Sequence, residues 1–342
     1  MPFKFIKKIF SIAILILSFG VILYKFPQLP RPLYFDEVES AKLALLLDKS
    51  PYVPYSPLMT GHATLFFYII LLSFKLFGIS RFALRLPSAL FAILSCLFLF
   101  LIIQKVFKNP LFSLFLAMIC VTLQWFITFA RISFEASFLL FLELIAIYFL
   151  LLFLEKKYIF LLIIVGIFTG LAYNSYPPGR IFFIVPLIAL LINKVDKRSI
   201  IICVGTFLLI ILPLQTYLLF HPDIRIKQQF FIVDSRIPSE KKEKILMDNI
   251  AKTGLMLIVK GNADDQFVYN KQAAISPILT LFLLIGFLIC LLNMNNFYNA
   301  LFLVYFFVAF LPSLFTYSGA IMLRTYTAIP SLIYFIGLAI LC

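Results

Sequence analysis

Long apolar runs separated by short polar breaks dominate the pattern of the chain. A helix needs about 20 apolar residues to cross a bilayer. The pattern predicts ten spans, near residues 6–24, 82–104, 110–129, 134–154, 158–174, 178–193, 199–219, 275–292, 298–316 and 323–342. The run 64–77 is shorter and contains Lys75. At about 1.5 Å per residue it does not reach across a core of roughly 30 Å, so we predict a helix that lies at the membrane interface.

Composition supports a membrane protein and excludes several other classes. Of the 342 residues, 63% are hydrophobic and 13% are charged, whereas soluble domains have about 45–50% apolar and about 25% charged residues. Too few polar residues remain to cover a soluble domain, and the same values exclude disordered, coiled-coil and collagen-like chains. The predicted fold class is therefore an all-α integral membrane helix bundle, with one domain over residues 1–342.

Basic residues predict the orientation of the bundle. The net charge of +14 would suggest nucleic acid binding in a soluble protein, but these cations are scattered among apolar runs, which favours contact with membrane lipid and no nucleic acid. Lys-rich short loops stay in the cytoplasm, so we expect a cytoplasmic N-terminus in a plasma or inner membrane. Two long outer regions follow, 25–77 with the interfacial helix and 220–274, and most acidic residues lie in them.

The first outer loop carries a carboxylate pair, Asp36-Glu37, ahead of a short amphipathic stretch. Acids are common in the first turn of a helix because they satisfy free amides and the helix dipole, so helix capping alone accounts for the pair. Its position at the membrane surface favours chemistry at a lipid headgroup instead. We treat Asp36 and Glu37 as candidate catalytic carboxylates.

Further ionisable residues lie near the outer ends of predicted spans. Arg131 and Glu135 are four residues apart, near the ends of adjoining apolar runs. Charged groups at such positions are costly and often functional. An Arg–Glu pair that anchors a helix end explains them too. A lone arginine there also serves as a snorkelling anchor. Together, the outer cations would surround a cavity with positive charge, which suits a phosphate group. These cations are Arg85, Arg131, Arg180 and Arg324, and Tyr176 lies in the same turn as Arg180.

An ordered set of motifs resembles the GT-C glycosyltransferases, in particular the branch of protein-mannosyltransferases and aminoarabinose transferases. The motifs are Asp36-Glu37, Gly61-His62-Ala63-Thr64-Leu65-Phe66-Phe67-Tyr68, the stretch Phe77 to Leu90, the stretch Ala130 to Ala136, Tyr173 to Pro186, and Leu323 to Pro330. The resemblance implies a GT-C-like polytopic bundle that transfers a sugar from a polyprenyl-phosphate donor. The expected partners are that donor, an acceptor protein, glycan or lipid, and membrane lipid.

The resemblance also implies roles for individual residues. In that family the acid in the first loop is a catalytic base or orients the acceptor, and the corresponding residue here is Asp36. The family's second-loop acid corresponds to Glu135, which would orient the acceptor or a divalent metal. A basic residue before two prolines contacts the lipid phosphate, and here His62 takes that place ahead of Ala63-Thr64. The resemblance further implies inversion at the anomeric carbon.

A transporter or a flippase for lipid-linked sugars is the main alternative. Transporters usually contain repeated halves and place key charges near the membrane midplane. The sequence shows no repeat, and its outer charges cluster at one predicted surface. A scaffold subunit without activity is a third interpretation that the sequence leaves open.

Overall fold

The apolar runs fold into helices, and the structure, a computed structural model, is helical over most of its length. It describes residues 2–342 apart from Pro27, Arg31, Ser50, Met59 and 262–271, with side chains left out at 2–5 and 7. The chain divides into two compact units, residues 1–54 with 63–213 and residues 55–62 with 214–342. The single functional domain over 1–342 stays a prediction.

The first unit contains the early apolar runs. Its elements are α1 (Pro2–Leu23), α2 (Phe35–Leu47), α3 (Leu65–Phe77), α4 (Arg81–Phe107), α5 (Pro110–Thr122), α6 (Gln124–Ala130), α7 (Glu135–Lys156), α8 (Phe160–Tyr173), a 3-10 turn (Pro177–Arg180), α9 (Ile184–Ile192) and most of α10 (Lys197–Phe220).

Local sequence sets where these helices begin and end. The Ser80 side chain caps α4 by accepting from the Ala83 amide at 3.2 Å, and Lys108 ends the helix in a left-handed conformation with φ 56°. Asn109 then caps α5, ahead of a proline at the first helical position. Such side-chain caps satisfy amides that have no partner within the helix.

Helices α4 and α7 form the buried centre of the first unit. They are the most buried of the four described helices that are long and apolar enough to cross a membrane. Phe91 of α4 packs on Phe138 and Phe141 of α7, with ring centroids 4.6 and 5.1 Å apart. Phe66 of α3 stacks on Phe138 at 5.9 Å. This aromatic layer fixes the ends of α4 and α7 that carry Arg85 and Glu135.

Four described helices are long and apolar enough to cross a membrane, namely α4, α7, α10 and α14 (Phe297–Leu314). A fifth span results if α5 and α6, which bend by 67° at Leu123, count as one. Within the described residues, shorter apolar helical stretches of 10–17 residues include Lys8–Leu23 of α1 and α3 at Leu65–Phe77. The total of ten spans and the interfacial position of α3 stay predictions.

The second unit contains the segment between α10 and the last apolar runs, together with those runs. Its elements are β1 (Tyr55–Ser56), the start of β2 (His62–Ala63), the end of α10, α11 (Ile224–Gln229), a 3-10 turn (Phe231–Val233), α12 (Ser239–Ile258), α13 (Pro277–Leu292), α14, a second 3-10 turn (Tyr326–Ala328) and α15 (Ile329–Leu341).

Close backbone approach and buried amides hold this second unit together. A Cβ atom added to Gly286 of α13 would lie 1.7 Å from the Phe335 carbonyl oxygen of α15, so only glycine permits this contact, as is common where membrane helices pack tightly. The Asn249 amide of α12 donates to the carbonyls of Leu314 and Thr316 at 2.9 and 2.8 Å. Helix α12 is therefore anchored to the end of α14 and the residues that follow it.

Candidate functional site

The start of α2 combines a buried carboxylate with a partly exposed one. Tyr34 is the N-cap residue, and its amide donates to the Glu37 carboxylate at 3.2 Å, as in a capping box. Glu37 has an exposed fraction of 0%, whereas Asp36 is partly exposed. Glu37 therefore fills the capping role that the sequence suggested for the pair, and Asp36 is the carboxylate of the two that solvent reaches.

Glu37 forms a buried ion pair with Arg85 of α4. The Arg85 Nε donates to Glu37 Oε1 at 2.8 Å, and Nη2 donates to Oε2 at 2.7 Å. Both side chains are fully buried. A bidentate pair of this kind is strong and directional. Because a substrate does not reach either group directly, the geometry favours a positioning role, and direct participation of Glu37 and Arg85 stays a prediction.

The same ion pair connects three segments of the first unit. Arg85 also donates to the carbonyls of Pro30 and Pro32, at 2.9 and 3.2 Å. The Ser133 amide donates to Glu37 Oε1 at 3.0 Å. The entry to α2, the first turns of α4 and the loop before α7 therefore share one buried electrostatic centre.

The loop 131–134 separates Arg131 from the helix that carries Glu135. Arg131 follows the last residue of α6, while Glu135 is the first residue of α7. Arg131 is 9% exposed and donates to the Tyr24 carbonyl at 2.5 Å. Arg131 and Glu135 therefore do not share one helix, and Arg131 contacts the end of the first apolar run.

Arg131 and Glu135 are both buried, in different electrostatic settings. Burial and the positive charge of Arg85 lower the pKa of Arg131, and its Nε has no hydrogen-bond partner among the described residues. A buried donor of this kind is costly unless a ligand or water accepts from it. Glu135 is 3% exposed at the N-terminus of α7, where the helix dipole favours a carboxylate.

The turn after α8 holds Tyr176 and Arg180. Tyr176 is 3% exposed, and the Arg180 guanidinium lies 5.8 Å from the centre of the Tyr173 ring, a cation–π contact. A Cβ on Gly179 would lie 2.2 Å from the Ala172 carbonyl oxygen. The close approach at Gly179 therefore fixes the backbone beside Arg180 against α8.

In the second unit, His62 contacts an arginine that the sequence did not single out. Arg225 Nη1 lies 2.9 Å from His62 Nδ1. Arg225 is 8% exposed. Nearby, the Tyr55 hydroxyl donates to the Asp223 carboxylate at 3.1 Å. Burial, followed by the charge of Asp223, raises the pKa of Tyr55 to about 12, so this hydroxyl remains a donor at neutral pH.

Arg324 is held by polar groups in the second unit. Its Nη1 donates to the Thr316 hydroxyl at 2.5 Å and to the Ser318 carbonyl at 3.0 Å. Its Nη2 donates to the Gln229 side chain at 3.3 Å. Arg324 is partly exposed. The structure thus links Arg324 to the end of α11, while His62 is linked to its beginning.

Residues that could hold a metal do not come together in the described part of the chain. No group of three or more His, Cys, Asp or Glu side chains occurs there. The acidic pair Asp264-Asp265 lies outside the described residues.

Sequence reasoning missed Arg225 because it lies in a loop with interleaved charges, which usually indicates a solvated surface. A weak signal was present. Asp223 stands before Ile224 as an N-cap residue would, and it does cap α11 by accepting from the Ile226 amide at 3.0 Å.

The fold is similar to that of GT-C membrane glycosyltransferases. One similar structure is ArnT from Cupriavidus metallidurans bound to undecaprenyl phosphate, with 13% identity over 97% of this chain and 59% of that one, and a TM-score of 0.62. Another is the Archaeoglobus fulgidus oligosaccharyltransferase AglB with an inhibitory peptide and a dolichol-phosphate. It has 12% identity over 98% of this chain and 50% of that one, and a TM-score of 0.59. The chain thus spans 50–59% of the length of these proteins.

The sequence comparison agrees with the fold. Residues 61–217 match the family described as dolichyl-phosphate-mannose-protein mannosyltransferase. The predicted resemblance to GT-C glycosyltransferases and the helical fold class are therefore confirmed. A comparison with curated protein sequences gives no match. The apolar helices and the fold together make the chain an integral membrane protein.

Proposed function

We propose that this protein is a glycosyltransferase that moves one sugar from a polyprenyl-phosphate donor to an acceptor on the extracytoplasmic face of the membrane. The match of residues 61–217 to a mannosyltransferase family supports the reaction class. The similar structures with bound undecaprenyl phosphate and dolichol-phosphate support a lipid-phosphate donor. Lys-rich short loops opposite the two outer regions support the orientation.

The first turn of α2 is the observation that carries the proposal. Glu37 is fully buried and paired with Arg85, which fixes the turn, while the neighbouring Asp36 is partly exposed. A carboxylate held rigidly and open to solvent is suited to accept a proton. We assign the role of general base to Asp36 and a positioning role to Glu37 and Arg85.

In the proposed reaction, a hydroxyl or amine of the acceptor attacks the anomeric carbon of the donor sugar. The acceptor proton passes to the Asp36 carboxylate as the new bond to the anomeric carbon forms. The bond between the anomeric carbon and the phosphate oxygen breaks, and polyprenyl phosphate leaves with the bonding electrons. Attack from the face opposite the phosphate inverts the anomeric centre.

The developing negative charge on the phosphate needs hydrogen-bond donors. Four residues are assigned to this role because they are outer cations or donors and match the family motifs: His62, Arg131, Arg180 and Arg324. The burial of Arg131 supports its assignment, since its Nε has no hydrogen-bond partner among the described residues. Glu135 at the start of α7 and the buried Tyr176 are assigned to the acceptor or sugar.

Sugar release from a panel of donors tests the proposal. The purified full chain in lipid nanodiscs would be given radiolabelled polyprenyl phosphates that carry different sugars, with water or a mixed acceptor extract. We expect release from at least one donor, and a loss of about 10²–10⁴-fold for Asp36→Asn, the usual contribution of a general base. The matched control is Asp48→Asn at the other end of α2, where the carboxylate is 48% exposed.

Two results would count against the proposal. Turnover of Asp36→Asn within threefold of the wild type would remove Asp36 from catalysis. Movement of intact donors across the bilayer, with no sugar released from any of them, would favour the flippase alternative.

A further inference from the structure

Arg225 is a buried cation beside a proposed phosphate ligand. Its Nη1 lies 2.9 Å from His62 Nδ1, and its exposed fraction is 8%. We propose that Arg225 is a positioning residue that holds the His62 ring as the neutral tautomer with its proton on Nε2, the form that donates to the carrier phosphate. This inference rests on the proposed function, since it specifies how His62 would bind the donor.

The chemistry of the two side chains determines the tautomer. A guanidinium has only hydrogen-bond donors. Nδ1 of His62 must therefore be the acceptor in the contact with Arg225, and a neutral imidazole that accepts at Nδ1 carries its proton on Nε2. Arg225 thereby fixes both the proton and the ring orientation. Because Arg225 itself is almost fully buried, His62, which is partly exposed, is the member of the pair that a phosphate can reach.

The backbone of the second unit sets the distance between the two residues. The Ile224 amide donates to the Tyr55 hydroxyl at 3.1 Å, which joins the start of α11 to β1. Gly61, next to His62, has φ +83°, and a Cβ there would lie 2.1 Å from the Tyr55 hydroxyl. Glycine adopts this conformation without strain. The approach of Arg225 to His62 is thus built into the fold and does not depend on two flexible side chains meeting.

The tautomer can be read directly because the chain has only two histidines. Full-length protein labelled with ¹⁵N-histidine and carrying His221→Gln would give ring-nitrogen signals from His62 alone. We expect the Nε2-protonated tautomer. Arg225→Leu should give a ring that exchanges between tautomers, whereas Arg225→Lys, which keeps a cationic donor, should preserve much of the original signature. The matched control Lys227→Leu removes an exposed charge from the same helix and should change nothing.

Binding of radiolabelled undecaprenyl phosphate gives the second readout. A hydrogen bond to a charged group is worth enough that its loss weakens binding by about tenfold or more, so we expect about that loss for Arg225→Leu and for His62→Phe. His62→Gln places an amide donor near the Nε2 position and His62→Asn places one near Nδ1. The inference predicts that His62→Gln binds undecaprenyl phosphate more tightly than His62→Asn does.

Each outcome separates the inference from the proposed function. If the wild type transfers sugar but Arg225→Leu leaves the His62 tautomer unchanged, the positioning role is overturned while the proposed function stands. If the tautomer changes but His62→Phe binds undecaprenyl phosphate as the wild type does, the phosphate role of His62 is overturned. Weaker binding together with a changed tautomer, and rescue by Arg225→Lys, supports the inference.

Discussion

Removing the charge of Glu37 should destabilise the first unit by several kcal/mol. In Glu37→Gln the side chain keeps its size, but the Arg85 guanidinium becomes a buried charge without a carboxylate. Both partners are fully buried in the wild type, so solvent does not screen the loss. Breaking a buried pair on one side typically costs about 3–5 kcal/mol.

The expected shift in melting temperature follows from the size of the unit. For domains of about 150–250 residues, 1 kcal/mol corresponds to roughly 2–4 °C, so the loss amounts to about 6–20 °C. The exposed pair between Lys75 and Asp48 is the matched control, with side chains 58% and 48% exposed. Exposed pairs contribute about 0–1 kcal/mol, so Lys75→Met should shift the melting temperature by no more than about 4 °C.

Intrinsic fluorescence of the purified protein during heating provides the assay, because Trp125 is the single tryptophan and is buried in the first unit. A double variant, Glu37→Gln with Arg85→Met, removes both charges and should cost clearly less than the sum of the two single variants. If Glu37→Gln melts within about 2 °C of the wild type, or if the two changes are additive, the ion pair does not hold these segments together and the positioning role falls.

Two further predictions concern the second unit. Gly286→Ala should lower stability by about 1–3 kcal/mol because its Cβ meets the Phe335 carbonyl. The control is Gly205→Ala on α10, where the space around the Cβ position is open, and this change should be neutral or stabilising by up to about 1 kcal/mol. Equal melting temperatures for the two variants would contradict the close packing. Hydrogen bonds from Arg236 and then Tyr317 hold the pKa of Asp234 well below its ordinary value. Its contribution to stability is therefore present above the unfolded pKa of about 3.9 and lost as pH falls through the lower folded value. The wild type should exceed Asp234→Asn in stability at pH 6, and the gap should narrow progressively as pH falls below about 3.9. A gap independent of pH would refute the assignment.

Hydrophobic patterning predicted most helices but not their breaks. The prediction of 82–104 and 134–154 as spans corresponds to α4 at Arg81–Phe107 and α7 at Glu135–Lys156, because each run is apolar and bounded by charged or capping residues. The run 110–129 is equally continuous, yet it bends by 67° at Leu123. No Pro or Gly lies at the bend, so no local sequence signal predicts it.

The sequence predicted which residues are candidates for the site, but it did not predict which side chains contact one another. The sequence grouped Asp36 with Glu37, but the contact of Glu37 with Arg85 joins residues 48 positions apart, which a single sequence does not encode locally. Likewise Arg225 is buried against His62 across 163 positions, in a loop whose composition indicated a solvated surface. Motif resemblance identifies such residues one by one, whereas their partners depend on tertiary structure.

The buried centre at Glu37 also has a consequence for how the chain is made. Synthesis begins at the N-terminus, and Arg85 follows Glu37 by 48 residues, while the Ser133 amide follows by 96. At roughly 5–20 residues per second, the carboxylate waits about 2–10 s for its counter-ion. An unpaired carboxylate costs several kcal/mol to bury, so the first loop stays in water during that interval. We therefore expect the α2 helix to reach its final place only after Arg85, near the start of α4, has been synthesised, which would make the assembly of this region sequential even though the finished contact is a single ion pair.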